Sequence, residues 1–334
     1  MGGNIWKDKS VRLPLKEYKQ LLADVKNMLY EDVVLDQNEL QEIAFIKNKE
    51  DFGDLDLLLT TRFEHKNSLL KLLKNRQLLY SVNGDVVSFL YNNFQVDIIF
   101  INHESLDYAK NYFSWNDAGN LVGRMIKQLG FKHGHNGLFY VNKKDTQVLS
   151  TTLVSLDYFD TLRLLKLDVE TFKKGFNTKK EMFDWIISSP YFNKNIFTFE
   201  NLNHIDKLRQ LKRPMYNEFL AYLESKDNLT EFNYKLHKES LAIYHFPILE
   251  NIIKNDARIL EENILIKTYF NGLIIGDLLD LKNISLGNFM KYFKENTDRD
   301  TLLKLIAINN EEKIKNFILN HYLNYQAILV KNII

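Results

Sequence analysis

The chain has no cysteine, which excludes disulfides and thiolate metal sites. Its four prolines among 334 residues form no proline-rich linker, and no repeat or low-complexity segment divides it. No window of about 18 apolar residues is free of charge, so no membrane span is expected. The opening "MGGNIWKDKSVRLPLKEY" lacks the apolar core of a signal peptide, and the expected location is the cytoplasm. Neither sign of charge dominates: 44 Lys and Arg stand against 43 Asp and Glu, a net charge of +1. Nucleic-acid-binding proteins often carry a basic excess, so any such footprint here must be local. Scarce Pro and Arg beside abundant Lys, Asn, Ile and Phe suit an AT-rich genome such as that of a phage, a virus or a low-GC bacterium.

What is present divides by texture. The stretch 15–30, "LKEYKQLLADVKNMLY", has helical periodicity, and a short helix is expected near "QNELQEIAF". Four short apolar runs follow, broken by Asn, Gly and Asp: "DLDLLLTT", "QLLYSVNG", "DVVSFLYN" and "FQVDIIFIN". These read as strands, with Asn83-Gly84 signalling a hairpin. Helices are expected at "HKNSLLKLLKN", "ESLDYAKNYF" and "NDAGNLVGRMIKQLG", the last closed by Gly130, and "GLFYVN" can add a strand. Beyond about residue 155 the pattern is helical: "DYFDTLRLLKL", "TKKEMFDWIISS", "HIDKLRQLKRPMYNEFLAYLES", and two segments after Thr297. The expected fold class is α+β, a mixed sheet followed by a mostly helical C-terminal half. The expected parts are an N-terminal helical segment (1–40), a sheet module (41–150) and a helical region (151–334).

The chemistry starts from "GDLDLLLTT". Asp54 and Asp56 are two apart, so on a strand they point to one face. Alone, such a pair is as readily turn or cap chemistry. Asp97, inside the apolar "QVDIIFI", is more informative, because a buried carboxylate without a partner is costly, and a metal is one such partner and a lysine another. If the two strands are neighbours, three carboxylates converge, the arrangement that holds two Mg²⁺ ions (or Mn²⁺) for in-line phosphoryl displacement.

These residues resemble the nucleotidyltransferase superfamily of the DNA polymerase beta type (family X), with poly(A) polymerases and CCA-adding enzymes. "GDLDLLLTT" is similar to its Gly-Asp-x-Asp strand, beginning at Gly53, and Val96-Asp97 to the strand that supplies the third metal ligand. "YFSWNDAGNLVGR" is similar to its nucleotide-binding segment, with Tyr112 and Phe113 as the aromatic pair and Ser114 for a threonine. Asp117, Asn120 and Arg124 then fall on one helical face. The resemblance implies a face packed on the incoming base and ribose, with Asp54, Asp56 and Asp97 as metal ligands and Asp97 nearest the attacking hydroxyl. The chain also looks like nucleotidyltransferases carried by phages. Two departures stand out. The family's triphosphate-binding Gly-Ser is replaced by Ile43-Ala44, leaving Lys47 and Lys49, or the backbone of "MGGN", to meet phosphates, and Trp115-Asn116 replaces a second Gly-Ser.

The implied function is transfer of a nucleoside monophosphate from a nucleoside triphosphate to an acceptor hydroxyl. Lacking a DNA-end-binding domain, the chain is expected to extend an RNA (tRNA-like) 3′ end without a template. The alternatives are a family X-like DNA polymerase and a non-catalytic nucleic-acid-binding protein on the same fold. Lys207, Arg209, Lys212 and Arg213, with Tyr216 and Phe219, form either a nucleic-acid contact or, the favoured reading, a solvated helix face with core aromatics. His133 and His135 in "KHGHNG" lack further ligands at metal spacing and read as a loop.

Overall fold

The computed structural model describes residues 5–6, 8–33, 36–60, 63–210 and 213–331. Strands β1 (Leu13–Pro14), β2 (Leu40–Glu42), β3 (Asp51–Phe52), β4 (Asp54–Thr60), β5 (Tyr80–Asn83), β6 (Val86–Tyr91) and β7 (Phe94–Ile101) are interleaved with helices α1 (Leu15–Asp32) and α2 (Phe63–Asn75). Helices α3 (Leu106–Phe113) and α4 (Ala118–Gln128) follow, then β8 (Phe131–Gly134), β9 (Gly137–Lys144) and β10 (Gln147–Ser155). The chain is α+β: a five-stranded mixed sheet in the order β2-β4-β7-β6-β5, in which only β4 and β7 are parallel, and a three-stranded antiparallel sheet β10-β9-β8.

After the sheets come α5 (Tyr158–Leu164), α6 (Val169–Lys174), α7 (Lys179–Ile187), α8 (His204–Gln210), α9 (Pro214–Glu224) and α10 (Tyr234–His245). The remaining helices are α11 (Ile248–Tyr269), α12 (Gly272–Leu279), α13 (Asn283–Glu295), α14 (Arg299–Ala307) and α15 (Glu311–Lys331). No helix among the described residues is long and apolar enough to cross a membrane.

Two compact units divide at Leu249–Glu250. Helices α5 to α9 are bound to the sheet module by specific contacts: Tyr108 to Thr161, Trp115 to Phe172 and Phe176, Arg124 to Asp206 and Arg213 to Asp117. The second unit has its own core, built around Phe270, Ile275, Phe289, Phe293, Ile306 and Ile318.

The main core forms because α1 buries Tyr18, Leu21, Val25, Met28 and Leu29 from one side, a helical stripe that meets the inward leucines of β4 and the apolar side of α2. Two local expectations were refined and two changed. "QNELQEIAF" is helical for one turn only: a 3-10 helix at Gln37–Glu39, capped by Asp36 onto the Asn38 N–H, leads into β2, whose residues 40–42 pair with Leu57–Leu59. Sheet pairing there outweighs local helical propensity. The β5–β6 hairpin turns at Gly84-Asp85, one residue past the Asn-Gly signal. "KHGHNG" is the β8–β9 hairpin, with His133 on the strand and His135 in the turn. Finally, residues 204–225 are two helices, because Pro214 occupies the first turn of α9, where its missing N–H costs nothing.

Candidate metal centre

β4 lies between β2 and β7, and its side chains alternate between two covered faces. Leu55, Leu57 and Leu59 enter the core with α1 and α2, whereas Leu58 joins Ile101, Leu106 and Ala109 on the α3 side. Asp54 and Asp56 share the parity of Leu58. On β7, Val96, Ile98 and Phe100 enter the first core, and Asp97 shares the parity of Ile101. The parallel register sets Asp56 beside Asp97 and Asp54 beside Gln95. One carboxylate oxygen from each of Asp54, Asp56 and Asp97 lies within 4.8 Å of the others.

The surroundings hold this cluster in position. The Ile5 N–H donates to Gln95 Oε1 at 3.1 Å, and Gln95 Nε2 donates to both Asp97 oxygens at 3.1 and 3.0 Å. Burial raises the Asp97 carboxyl above its ordinary range, opposed by hydrogen bonds from Ser88 and Gln95. Asp56 is raised well above its ordinary value, first by burial and then by the charges of Asp54 and Asp97. Lys49 is pushed down by burial, against the pull of Asp54 and Asp56; its ammonium lies 4.4 Å from the Phe52 ring centroid. A donor set of oxygens alone, with three carboxylates that repel one another when charged, fits a hard divalent cation.

The aspartates open into a cleft of about 1080 Å³. Of the residues expected at a nucleotide site, Gly53, Lys49, Tyr112, Phe113, Asp117 and Asn120 line it. Three others do not. Lys47 is exposed elsewhere. Ser114 is buried and structural: its hydroxyl donates to the Lys110 carbonyl at 2.6 Å and accepts from the Ala44 N–H at 3.3 Å. Arg124, 8% exposed, donates to Asp206 at 3.1 Å and lies 5.6 Å from the Tyr216 ring centroid. The i, i+3, i+7 face of α4 is therefore split: Asp117 and Asn120 line the cleft, while Arg124 anchors α8 and α9.

The turn joining α3 to α4 has an unusual backbone. Trp115 and Asn116 both have φ of 61°, the left-handed region that glycine would accept freely. The conformation is held by the Trp115 N–H on the Ala44 carbonyl at 2.7 Å, and by Asn116 Oδ1 accepting from the Ile46 N–H at 3.2 Å. α4 also approaches α3 closely at Gly119, where a Cβ would stand 2.2 Å from the Tyr112 carbonyl oxygen.

Among the basic residues read as a nucleic-acid face, Lys207 lies 5.7 Å from the Phe199 ring centroid. Arg213 lines the cleft and donates to Asp117 at 2.5 Å. Tyr216 and Phe219 are fully buried and belong to the core. Residues 1–4, Lys212 and the Arg209 side chain lie outside the described residues. His133 is held as Tyr108 donates to, or accepts from, its Nδ1 at 2.8 Å, and His135 stacks on Phe113.

Sequence reading missed Gln95, Thr178, Lys179 and Lys180, all but Gln95 lining the cleft. Gln95 had a signal, since Gln-x-Asp on a strand puts both side chains on one face. Thr178 and Glu181 have capping-box spacing, and Thr178 Oγ1 accepts from the Glu181 N–H at 3.1 Å. That spacing marks the start of α7 but not its return to the cleft. No protein-family model matches the chain, and no similar curated protein was found.

Proposed function

We propose that the protein is a divalent-cation-dependent nucleotidyltransferase, as its resemblance to the DNA polymerase beta superfamily implies. The observation that carries this reading is the convergence of Asp54, Asp56 and Asp97 within 4.8 Å, on adjacent parallel strands, in a cleft shared with Asp117 and Asn120. Bound Mg²⁺ or Mn²⁺ would supply charge neutralisation and polarisation of phosphoryl oxygens there. Asp54 and Asp56 contribute acceptor oxygens on one strand. Asp97, oriented by Gln95, would take the proton of an attacking hydroxyl. That hydroxyl oxygen bonds to the α-phosphorus as the bond to the bridging oxygen breaks and pyrophosphate leaves. Tyr112 and Phe113, their rings 5.1 Å apart at 78°, give the cleft an aromatic wall for a base.

The proposed acceptor is an RNA 3′ end without a template, and the proposed location the cytoplasm; a templated DNA polymerase is the alternative. A screen of labelled NTPs and dNTPs against tRNA, single-stranded RNA and primed DNA tests both. Extension of RNA that is abolished by Asp97→Asn supports the first, and preferential filling of a templated gap supports the second. A non-catalytic nucleic-acid-binding role is favoured by one observation, the absence of the Gly-Ser turn at Ile43-Ala44. It predicts nucleic-acid affinity unchanged by Asp54→Ala and no incorporation of any nucleotide.

A further inference from the structure

In and just after the segment that replaces the Gly-Ser turn, four backbone donors are already engaged. The N–H groups of Ala44, Ile46, Lys47 and Asn48 donate to Ser114 Oγ (3.3 Å), Asn116 Oδ1 (3.2 Å), the Phe176 carbonyl (2.9 Å) and the Asn177 carbonyl (3.0 Å). A phosphate seated on this backbone would have to displace internal hydrogen bonds. It would also dismantle the support of the left-handed turn at Trp115-Asn116.

The same bonds bring a different set of donors to the cleft. Residues 47–48 are tied to 176–177, immediately before Thr178, Lys179 and Lys180 at the start of α7. Gly175 allows this path: its φ is +76°, and a Cβ there would lie 2.1 Å from the Trp115 ring. Lys49, Lys179 and Lys180 consequently line one cleft with the three aspartates.

These ammonium groups can accept a new partner. Lys49 has no carboxylate within ion-pair distance among the described residues. Lys179 pairs with Glu218 at 2.7 Å and Lys180 with Asp184 at 2.9 Å, with lysine side chains 49% and 70% exposed. Exposed pairs of this kind are weak, whereas a polyphosphate offers several charged oxygens to short charge-assisted hydrogen bonds. Among the described residues lining the cleft, carboxylates outnumber cations seven to five, a balance that disfavours such an anion unless a divalent cation is bound.

We infer that Lys49, Lys179 and Lys180 form a polyphosphate subsite, which holds the β- and γ-phosphates of the substrate by side-chain ammonium groups in place of a backbone cradle. This deepens, and rests on, the proposed use of a nucleoside triphosphate. The test is calorimetric titration of the full chain with inorganic tripolyphosphate, and separately with orthophosphate, in Mg²⁺. Wild-type protein should prefer tripolyphosphate, and Lys179→Ala/Lys180→Ala should weaken tripolyphosphate binding about tenfold or more. Lys179→Arg/Lys180→Arg should retain it, and the Mg²⁺-induced rise in Tm of both variants should match wild type, reporting an intact fold and metal centre. Tripolyphosphate affinity unchanged in the double alanine variant and in Lys49→Ala overturns the subsite. The two readings fail differently. Lysine-dependent tripolyphosphate binding without nucleotide incorporation keeps the subsite and removes the transferase. Incorporation with an unaltered KM for triphosphate in the lysine variants does the reverse.

Discussion

Replacing Asp56 with asparagine should stabilise the protein when metal is absent and abolish its response to metal. Asp56 stands beside Asp97 in the β4–β7 register, and the acceptor oxygens of all three aspartates lie within 4.8 Å. At that separation, two full charges repel by about 3.5 kcal/mol at an effective dielectric constant of about 20. Water in the cleft and proton uptake by Asp56 relieve part of this, leaving a net gain of about 1–3 kcal/mol for Asp56→Asn. For a unit of this size that is about 3–10 °C in Tm. The pH dependence has a definite sign. The folded Asp56 carboxyl is raised above its ordinary value of 3.8, so the folded state keeps a proton that the unfolded state has released. Metal-free stability therefore falls as pH rises above about 4 towards the raised value, and the asparagine variant should flatten that slope. The Mg²⁺-induced shift in Tm should grow over the same range, because the cation displaces the proton. Thermal scans with EDTA and with Mg²⁺, at a series of pH values, read both effects. A variant that melts below wild type in EDTA, or keeps the full Mg²⁺ shift, refutes the reasoning.

Gly175→Ala forces a side chain into a left-handed backbone and against the Trp115 ring, and should cost about 2–4 kcal/mol in urea unfolding. A loss under about 0.5 kcal/mol contradicts that packing. Ser114→Ala leaves the half-buried Ala44 N–H and the Lys110 carbonyl each without the serine hydroxyl, a loss of about 1–2 kcal/mol; equal stability would mean that the hydroxyl does not tie the two segments. His133, half-buried with its ring among aromatic rings, has its pKa lowered from 6.5 to about 3 by desolvation. The unfolded chain takes up a proton below about pH 6.5 that folded His133 refuses, so this residue costs stability as pH falls from about 6.5 towards 3, at about 1.4 kcal/mol per pH unit. In His133→Gln that contribution to the slope should vanish, whatever the variant's stability at neutral pH. A slope in His133→Gln equal to that of wild type, or an imidazole that titrates near 6.5 by NMR, excludes the neutral folded state.

Local chemistry carried a good part of this protein. The stripe of α1, the alternation that sets Asp54 and Asp56 on one face, the lone Asp97 in an apolar strand and the cap at Thr178 are all readable from neighbours a few residues away. So were the α+β class and the expectation of three converging carboxylates, whose convergence needed only that two strands be adjacent. Burial of Tyr216 and Phe219 also matched the simpler of two readings. Longer-range matters were different. "QNELQ" has a helical pattern, yet keeps it for a single 3-10 turn, and Leu40–Glu42 pair as β2 because the edge of β4 lies beside them. Asp117, Asn120 and Arg124 share a helical face in sequence, but the approach of α8 draws Arg124 to Asp206 and leaves the other two in the cleft. Lys179 and Lys180 give no hint of their place, since nothing within a few residues of "NTKKE" refers to Lys47 or Asn48. Their position depends on hydrogen bonds closed across more than a hundred residues of chain. Periodicity records which face of an element is apolar. Which elements meet is set by the packing of the whole, and the cleft belongs to that level.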